Sequence, residues 1–170
     1  YEVAFVGHLG HYDCPHCEAD RPPPDVAATA IELLGMSGSR SRVRTPQGEA
    51  DLELPLPGLY NVYNALAALA TALRLGVGLE AATRGLAAVE TAFGRVETIA
   101  VNGVSVSILL IKNPAGANEV LRTLRLEAAH DSNGSPAPVD LWIALNDGIA
   151  DGRDVSWIWD ADFELLAGRV

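Results

Sequence analysis

The run VDLWIALN, residues 139–146, places the tightest limit on the fold. A strand so nearly uniformly apolar is stable only where both faces are covered, which in soluble proteins means a parallel sheet flanked by helices. It predicts an α/β architecture, and the rest of the chain alternates accordingly. LPGLYNVYNALAALATALRLG carries Leu66, Leu69 and Leu73 at the spacing of a helix face, with Gly76 as a left-handed stop. GLEAATRGLAAVE predicts a second helix after a short glycine-bearing link. SRVRT and ADLELPL alternate with period two around PQGE, the pattern of a β-hairpin whose Arg40, Arg42 and Arg44 share a wet face. FGRVETIAVNGVSVSILLI reads as two strands joined by Asn102-Gly103, the strongest short-range hairpin signal.

Other segments are read with less to go on. YEVAFV predicts a short strand, and GHLGHYDCPHCEADRPPP a compact knuckle with an extended exit, because Pro22, Pro23 and Pro24 exclude a regular helix. DVAATAIELLG predicts a short helix capped by Asp25 and ended by Gly35. In KNPAGANEVLRTLRLEAAH, Pro114 and Gly116 are expected to form a turn, with a helix from about Asn118 to His130. The best domain boundary falls near Ile111 to Pro114, giving an expected first domain over residues 1–110 and a second over 111–170.

Composition narrows the function. With 49% apolar and 20% charged residues the chain can bury a core, which excludes wholesale disorder. The formal charge of -10, with Lys112 as the one lysine, excludes a general nucleic-acid binder, which would need cations to neutralise phosphates. No apolar run nears the roughly 20 residues of a membrane helix, and the start lacks the basic head and apolar stretch of a signal peptide. The chain begins without methionine in what reads as a strand, so a piece of a longer protein is expected.

Two motifs carry candidate chemistry. Cys14-Pro15-His16-Cys17 reads either as a thioredoxin-type redox turn or as half of a zinc ribbon. The redox reading needs a helix after the motif, which EADRPPP cannot supply. The zinc reading needs four ligands; His8 and His11 have useful spacing, and a plain loop with two cysteines stays open. The acidic stretch after VDLWIALN gathers Asp147, Asp151, Asp154, Asp160, Asp162 and Glu164 beside Ser156, Trp157 and Trp159. Its position beyond a strand end is where α/β proteins place ligand sites. Either it is a solvated loop over packed tryptophans, or a carboxylate there binds a metal, holds a ribose or orients an imidazole. No G-x-x-x-x-G-K-[ST] or G-x-G-x-x-G phosphate loop occurs, so turnover of ATP by these residues unaided is not expected.

LPLPGLYNVYNALAALATA, GRVE at 94–97, LIKNPAGANEVLRTL and LNDGIADGRDVSWIWDADFE together resemble the MurT family, the Mur-ligase-like subunits of lipid II isoglutaminyl synthase. The resemblance extends over essentially the whole chain. It implies part of a Mur-ligase central domain with half of an inserted zinc ribbon, the knuckle at about 8–20, followed by the start of a Rossmann-like C-terminal domain. It implies an ATP-dependent carbon–nitrogen ligase that uses Mg and converts the D-isoglutamate of the lipid II stem peptide into D-isoglutamine. Its ammonia would come from a GatD-like glutaminase subunit carrying a Cys–His pair, with an aspartate of the ligase subunit as third member.

By the same resemblance Asp154 is the first candidate for that aspartate, with Asp151 and Asp160 behind it. Asn61, Asn64, Arg95 and Lys112 are candidate nucleotide contacts. Helix capping by Asn61, a surface Asn64, an ordinary surface arginine and a hinge-side lysine are the alternatives at those positions. Cys14 and Cys17 would be two of the zinc ligands. The lipid-linked substrate implies work in the cytoplasm, at the inner face of the membrane, by a chain with no integral membrane segment. As given, the residues are expected to be inactive alone. The competing readings are a non-catalytic partner-binding or scaffold chain and a thiol oxidoreductase using Cys14.

Overall fold

The computed structural model describes residues 2–6, 9–90, 96–126, 138–146, 148 and 154–170; for residues 2–6, 9, 11 and 13 it describes the backbone alone. Asp151, Arg95 and His8, the His11 side chain, and the helix end expected at 127–130 therefore lie outside the described residues.

The chain begins with an antiparallel hairpin of β1 (Glu2–Val6) and β2 (Leu9–Asp13). Half of the expected knuckle is therefore strand, because β1 supplies a partner for it. The cysteines follow on the turn that leaves β2, and the extended prolines lead on to β3.

Next is a three-stranded antiparallel sheet, β3 (Ala27–Leu33), β4 (Ser39–Thr45) and β5 (Gly48–Leu54), in that order. Its hairpin is the one the alternation predicts. On β4, Ser39, Ser41, Val43 and Thr45 are buried while Arg40, Arg42 and Arg44 face water. Arg42 makes a two-pronged contact with Asp51 on β5, at 2.9 and 3.1 Å. An exposed pair of this kind contributes little to stability, and its main effect is to favour one register.

β3 overturns the helix expected at DVAATAIELLG. Helix propensity in three alanines and a glutamate is a weak prior, and pairing with β4 satisfies the backbone groups on one edge of the segment. A short 3₁₀ helix, Gly35–Ser37, then turns the chain into β4. Gly38 is required at that corner: its φ is +111°, and a Cβ there would collide with the Leu54 carbonyl oxygen.

Two helices cover the sheet. α1 (Leu59–Arg74) buries Val62, Ala65 and Leu69, and α2 (Leu79–Ala87) packs on β5 and α1. The core they close comprises Val43, Leu52, Leu54, Ala65 and Leu69, with Leu73, Leu79 and Leu86 at its margin. β6 (Val96–Val101) and β7 (Val104–Leu109) form the Asn102-Gly103 hairpin, both turn residues having positive φ as a type I′ turn demands.

α3 (Pro114–Leu126) starts a turn earlier than expected. Pro114 takes the first helical position, where its missing N–H costs nothing. The Asn113 side chain accepts the Gly116 amide at 2.8 Å, so the supposed Asn-Pro turn is a helix cap. α3 carries a second core of Ala117, Leu121, Leu124, Ala161 and Leu166. Met36 from the first sheet's corner packs against it.

The parallel strand predicted for VDLWIALN does not form. Val139 to Asn146 carry no strand pairing, and Trp142 is 92% exposed. Every strand pair among the described residues is antiparallel, and none of them includes residues 139–146. Helices and strands are combined as α/β in the general sense, and no helix among the described residues is long and apolar enough to cross a membrane.

Leu69 is fully buried at the sheet–helix contact, so Leu69→Ala should cost about 2–5 kcal/mol in urea denaturation. Leu75→Ala, at a position 79% exposed, should stay within about 0.5 kcal/mol of the parent.

Candidate functional site on the acidic segment

Residues 154–170 contain no strand or α-helix, only two short 3₁₀ helices, Ser156–Asp160 and Phe163–Leu166. Segments this irregular are ordered by what they pack against. Here that is α3. Trp157, Phe163 and Leu165 pack against the α3 core, and Ala161 and Leu166 belong to it.

Polar contacts then fix the segment at both ends. Midway along the first turns of α3, Asn118 accepts the Asp162 amide at 2.7 Å and reaches the Asp160 carbonyl at 3.5 Å. At the far end, the largely buried Arg169 guanidinium donates to the Leu124 and Arg125 carbonyls, each at 2.8 Å. Those are carbonyls of the last helical turn, which have no partner within a helix. A cation there also suits the negative end of the helix dipole. Arg122 lies between Glu119 at 2.7 Å and Asp162 at 3.9 Å.

Asp154 heads the first 3₁₀ helix. Its Oδ1 accepts the Ser156 amide at 2.9 Å. Hydrogen bonds from the Ser156 hydroxyl and amide hold its carboxyl below the usual carboxylate range, so it is charged at any physiological pH. In a 3₁₀ helix residues three apart eclipse. Ser156 and Trp159 therefore share the outward face, while Trp157 turns toward α3. Trp159 is 87% exposed, so of the alternative with two tryptophans packed beneath the loop only Trp157 fits. Asp160 is exposed beside it, and among the described residues no cation pairs with Asp154 or Asp160.

The other candidates lie on different elements. Asn61 is in the first turn of α1, where its side-chain amide donates to the Pro57 carbonyl at 2.8 Å and its Oδ1 accepts from Asn64 at 3.4 Å. Both asparagines thus secure the helix start beside Gly58. Lys112 is exposed, one residue before the cap of α3. No G-x-x-x-x-G-K-[ST] phosphate-loop sequence accompanies these residues.

Cys14 and Cys17 sit on one turn. The Cys14 amide donates to the Ala19 carbonyl and the Glu18 amide returns to the Cys14 carbonyl, both at 2.9 Å. Arg21 clips the exit to β2 through the Tyr12 carbonyl at 2.9 Å and the Gly10 carbonyl at 3.3 Å. The Cys14 thiol is held below its ordinary pKa by the amides of His16 and Cys17 and then by the Cys17 thiol. A thiolate so favoured suits a metal as well as an oxidant. No helix starts at Cys14, as a thioredoxin-type turn requires; the chain runs irregularly to β3. A structural zinc takes four ligands, of which this turn offers two. Among the described residues no group of three or more His, Cys, Asp or Glu gathers to complete such a site.

The sequence reading named Ser156 without a role and missed the contacts of Asn118 and Arg169. The spacing Asp154-x-Ser156 is a local signal for an aspartate bonding the backbone two residues on. Asn118 and Arg169 have partners more than forty residues away in sequence, and nothing nearby announces them.

An antiparallel sheet under two helices, joined to a capped helix with an acidic edge, defines a class when set beside solved proteins. Pseudomurein peptide ligase type C from Methanothermus fervidus is 34% identical with a TM-score of 0.59, over 72% of this chain and 24% of that one. MurF from Acinetobacter baumannii is 38% identical with a TM-score of 0.54, over 61% of this chain and 22% of that one. The chain belongs to the Mur-ligase family. Within it, residues 110–170 match the family model described as MurT ligase C-terminal.

The chain is homologous to the MurT subunit of lipid II isoglutaminyl synthase (glutamine-hydrolyzing) from Streptococcus pneumoniae, at 38% identity over 98% of this chain. The Staphylococcus aureus MurT subunit is 29% identical over 98%. The chain spans about a third of the length of these relatives, 34% and 35%.

The contacts of Asp154 make a titration prediction. Its folded-state pKa is depressed, so the Asp154–Ser156 contacts are fully present above the ordinary carboxylate value of 3.8 and are lost as pH falls through the lower folded value. Ser156→Ala removes the hydroxyl bond and should move the Asp154 carboxyl midpoint upward in a carbon-13 NMR titration. An unmoved midpoint would contradict the assignment.

Proposed function

We propose that the chain forms part of the ligase subunit of a glutamine-dependent amidotransferase that amidates the lipid II stem peptide. The observation that carries this reading is the Asp154 edge: a charged, exposed carboxylate held by Ser156, with no cation pairing it among the described residues, in a chain homologous to MurT. A carboxylate so placed can accept a hydrogen bond from an imidazole of a second protein. It would fix the tautomer and stabilise the imidazolium that forms when a cysteine gives up its proton. The second protein is a GatD-like glutaminase with a Cys–His pair, which releases ammonia from glutamine.

The ligase subunit then completes the amidation. The α-carboxylate of D-isoglutamate takes the terminal phosphoryl group of ATP, giving an acyl phosphate and ADP. Ammonia attacks the acyl carbon and phosphate leaves, so D-isoglutamine results. Activation is needed because a carboxylate at neutral pH is a poor electrophile. The described residues build no phosphate cradle, so no step is assigned to Asn61, Asn64 or Lys112 beyond contact with a nucleotide and its Mg held largely by other residues. Arg95 stays a candidate nucleotide contact, and Asp151 and Asp160 stay candidates behind Asp154 for the imidazole-orienting carboxylate.

The remaining readings follow the same line. The boundary near Ile111 separates a Mur-ligase central portion, residues 1–110, from the start of a Rossmann-like portion, residues 111–170. Cys14 and Cys17 supply two thiolates to a zinc with a structural role. The protein works in the cytoplasm at the inner membrane face, where its lipid-linked substrate lies.

Asp154→Asn keeps the shape of the side chain and removes its charge. In the full-length chain combined with its glutaminase subunit, glutamine hydrolysis should fall by on the order of 10⁴-fold, the loss that follows when an imidazole-orienting carboxylate becomes an amide. Full hydrolysis by the variant complex would remove Asp154 from the role and favour a purely scaffolding contact.

A further inference from the structure

We propose that Trp159 is the anchor by which the Asp154 edge docks onto the glutaminase subunit; the inference rests on the function proposed above and names a specific contact within it. The starting point is an apolar side chain in an unusual place. The indole of Trp159 is 87% exposed, while Trp157, two residues earlier, packs against the α3 core. The 3₁₀ repeat makes the difference a matter of direction: with three residues per turn, Trp157 is aimed inward and Trp159 shares the outer side with Ser156. Ser156 in turn donates to Asp154. One outward face therefore presents a carboxylate at its head and an indole one turn further on.

That face is held in place before any partner arrives. Asn118 bonds the backbone on both sides of Ala161, the buried residue just beyond Trp159 and Asp160. Docking then freezes little beyond the indole itself, and a tryptophan has only two side-chain torsions to lose. Exposed tryptophans in pre-ordered settings are the residues that most often dominate binding energy, provided that their surroundings exclude water on docking.

Charge identifies the occupant's chemistry. Asp154 and Asp160 flank the indole without a cation pairing either among the described residues, and the whole chain carries -10. The complementary surface is an apolar cleft of a protein, rimmed by Lys or Arg, lying beside the imidazole that Asp154 orients. An anionic membrane surface is the wrong sign for this face. Trp142, 92% exposed on the 139–146 segment, lies outside the 3₁₀ helix that carries Trp159 and serves as the internal control.

The test is a calorimetric titration of the full-length chain, as produced in its source cells, with the GatD-type glutaminase of the same organism. Trp159→Ala should weaken binding by about 30-fold or more. Trp159→Phe should recover part of the affinity, and Trp142→Ala should leave it within about twofold. Circular dichroism of each variant separates loss of folding from loss of contact. Trp159→Ala binding as tightly as the parent would overturn the anchor while leaving the proposed function intact. A parent chain that fails to bind the glutaminase at all would overturn the function, and the anchor with it.

Discussion

The acidic segment takes its order from α3, and the anchoring polar contacts are side chain to backbone. A stretch of chain without strands or long helices leaves many peptide groups without repetitive partners, and each one buried unpaired costs as much as several surface contacts return. Asn118 meets this need where the segment turns past Asp160, and Arg169 meets the matching need of α3 at its own last turn. The relation is therefore mutual: the segment caps the helix that holds it. Removing Asn118 or Arg169 would strand groups on both sides of the contact.

That arrangement explains why the exposed chemistry is localised. Trp157, Ala161, Phe163, Leu165 and Leu166 face α3, and the exposed residues at the head of the segment are Asp154, Ser156, Trp159 and Asp160. Asp162 is drawn toward Arg122 and is thereby set apart from the carboxylates without a paired cation. A similar division runs through the first sheet, where alternate residues of β4 send Val43 inward and Arg42 to Asp51 outward. By contrast, the β6–β7 hairpin exposes Ile99, Val101, Val104, Val106 and Ile108 along one face. Together with Trp142 and Leu141, this is apolar surface of the kind that another layer or a partner covers.

What could be read from the sequence was what local chemistry dictates. The two hairpins declared themselves through alternation and through Asn102-Gly103, and α1 through Leu66, Leu69 and Leu73 with its glycine stop. The readings that failed were those settled by distant partners. DVAATAIELLG has a helix former's composition, yet it pairs with β4. VDLWIALN has a buried strand's composition, yet it pairs with no strand among the described residues. In the candidate site, Asp154 and its serine were within reach of a local reading, whereas Asn118 and Arg169 act across most of the second core and left no trace near themselves. The start of α3 was legible and was misread: Asn-Pro at a helix entry is a cap as often as a turn.

The central claim is that this chain serves an amidation in which nitrogen passes from glutamine to a peptide carboxylate. The most direct measurement supplies glutamine labelled with nitrogen-15 in its side-chain amide to the full-length chain, its glutaminase, ATP and lipid II, and follows the stem peptide by mass spectrometry. The account predicts that the labelled nitrogen appears in the D-isoglutamine amide, dependent on ATP and on Asp154. Unmodified stem peptide in the presence of both subunits, glutamine and ATP would contradict it.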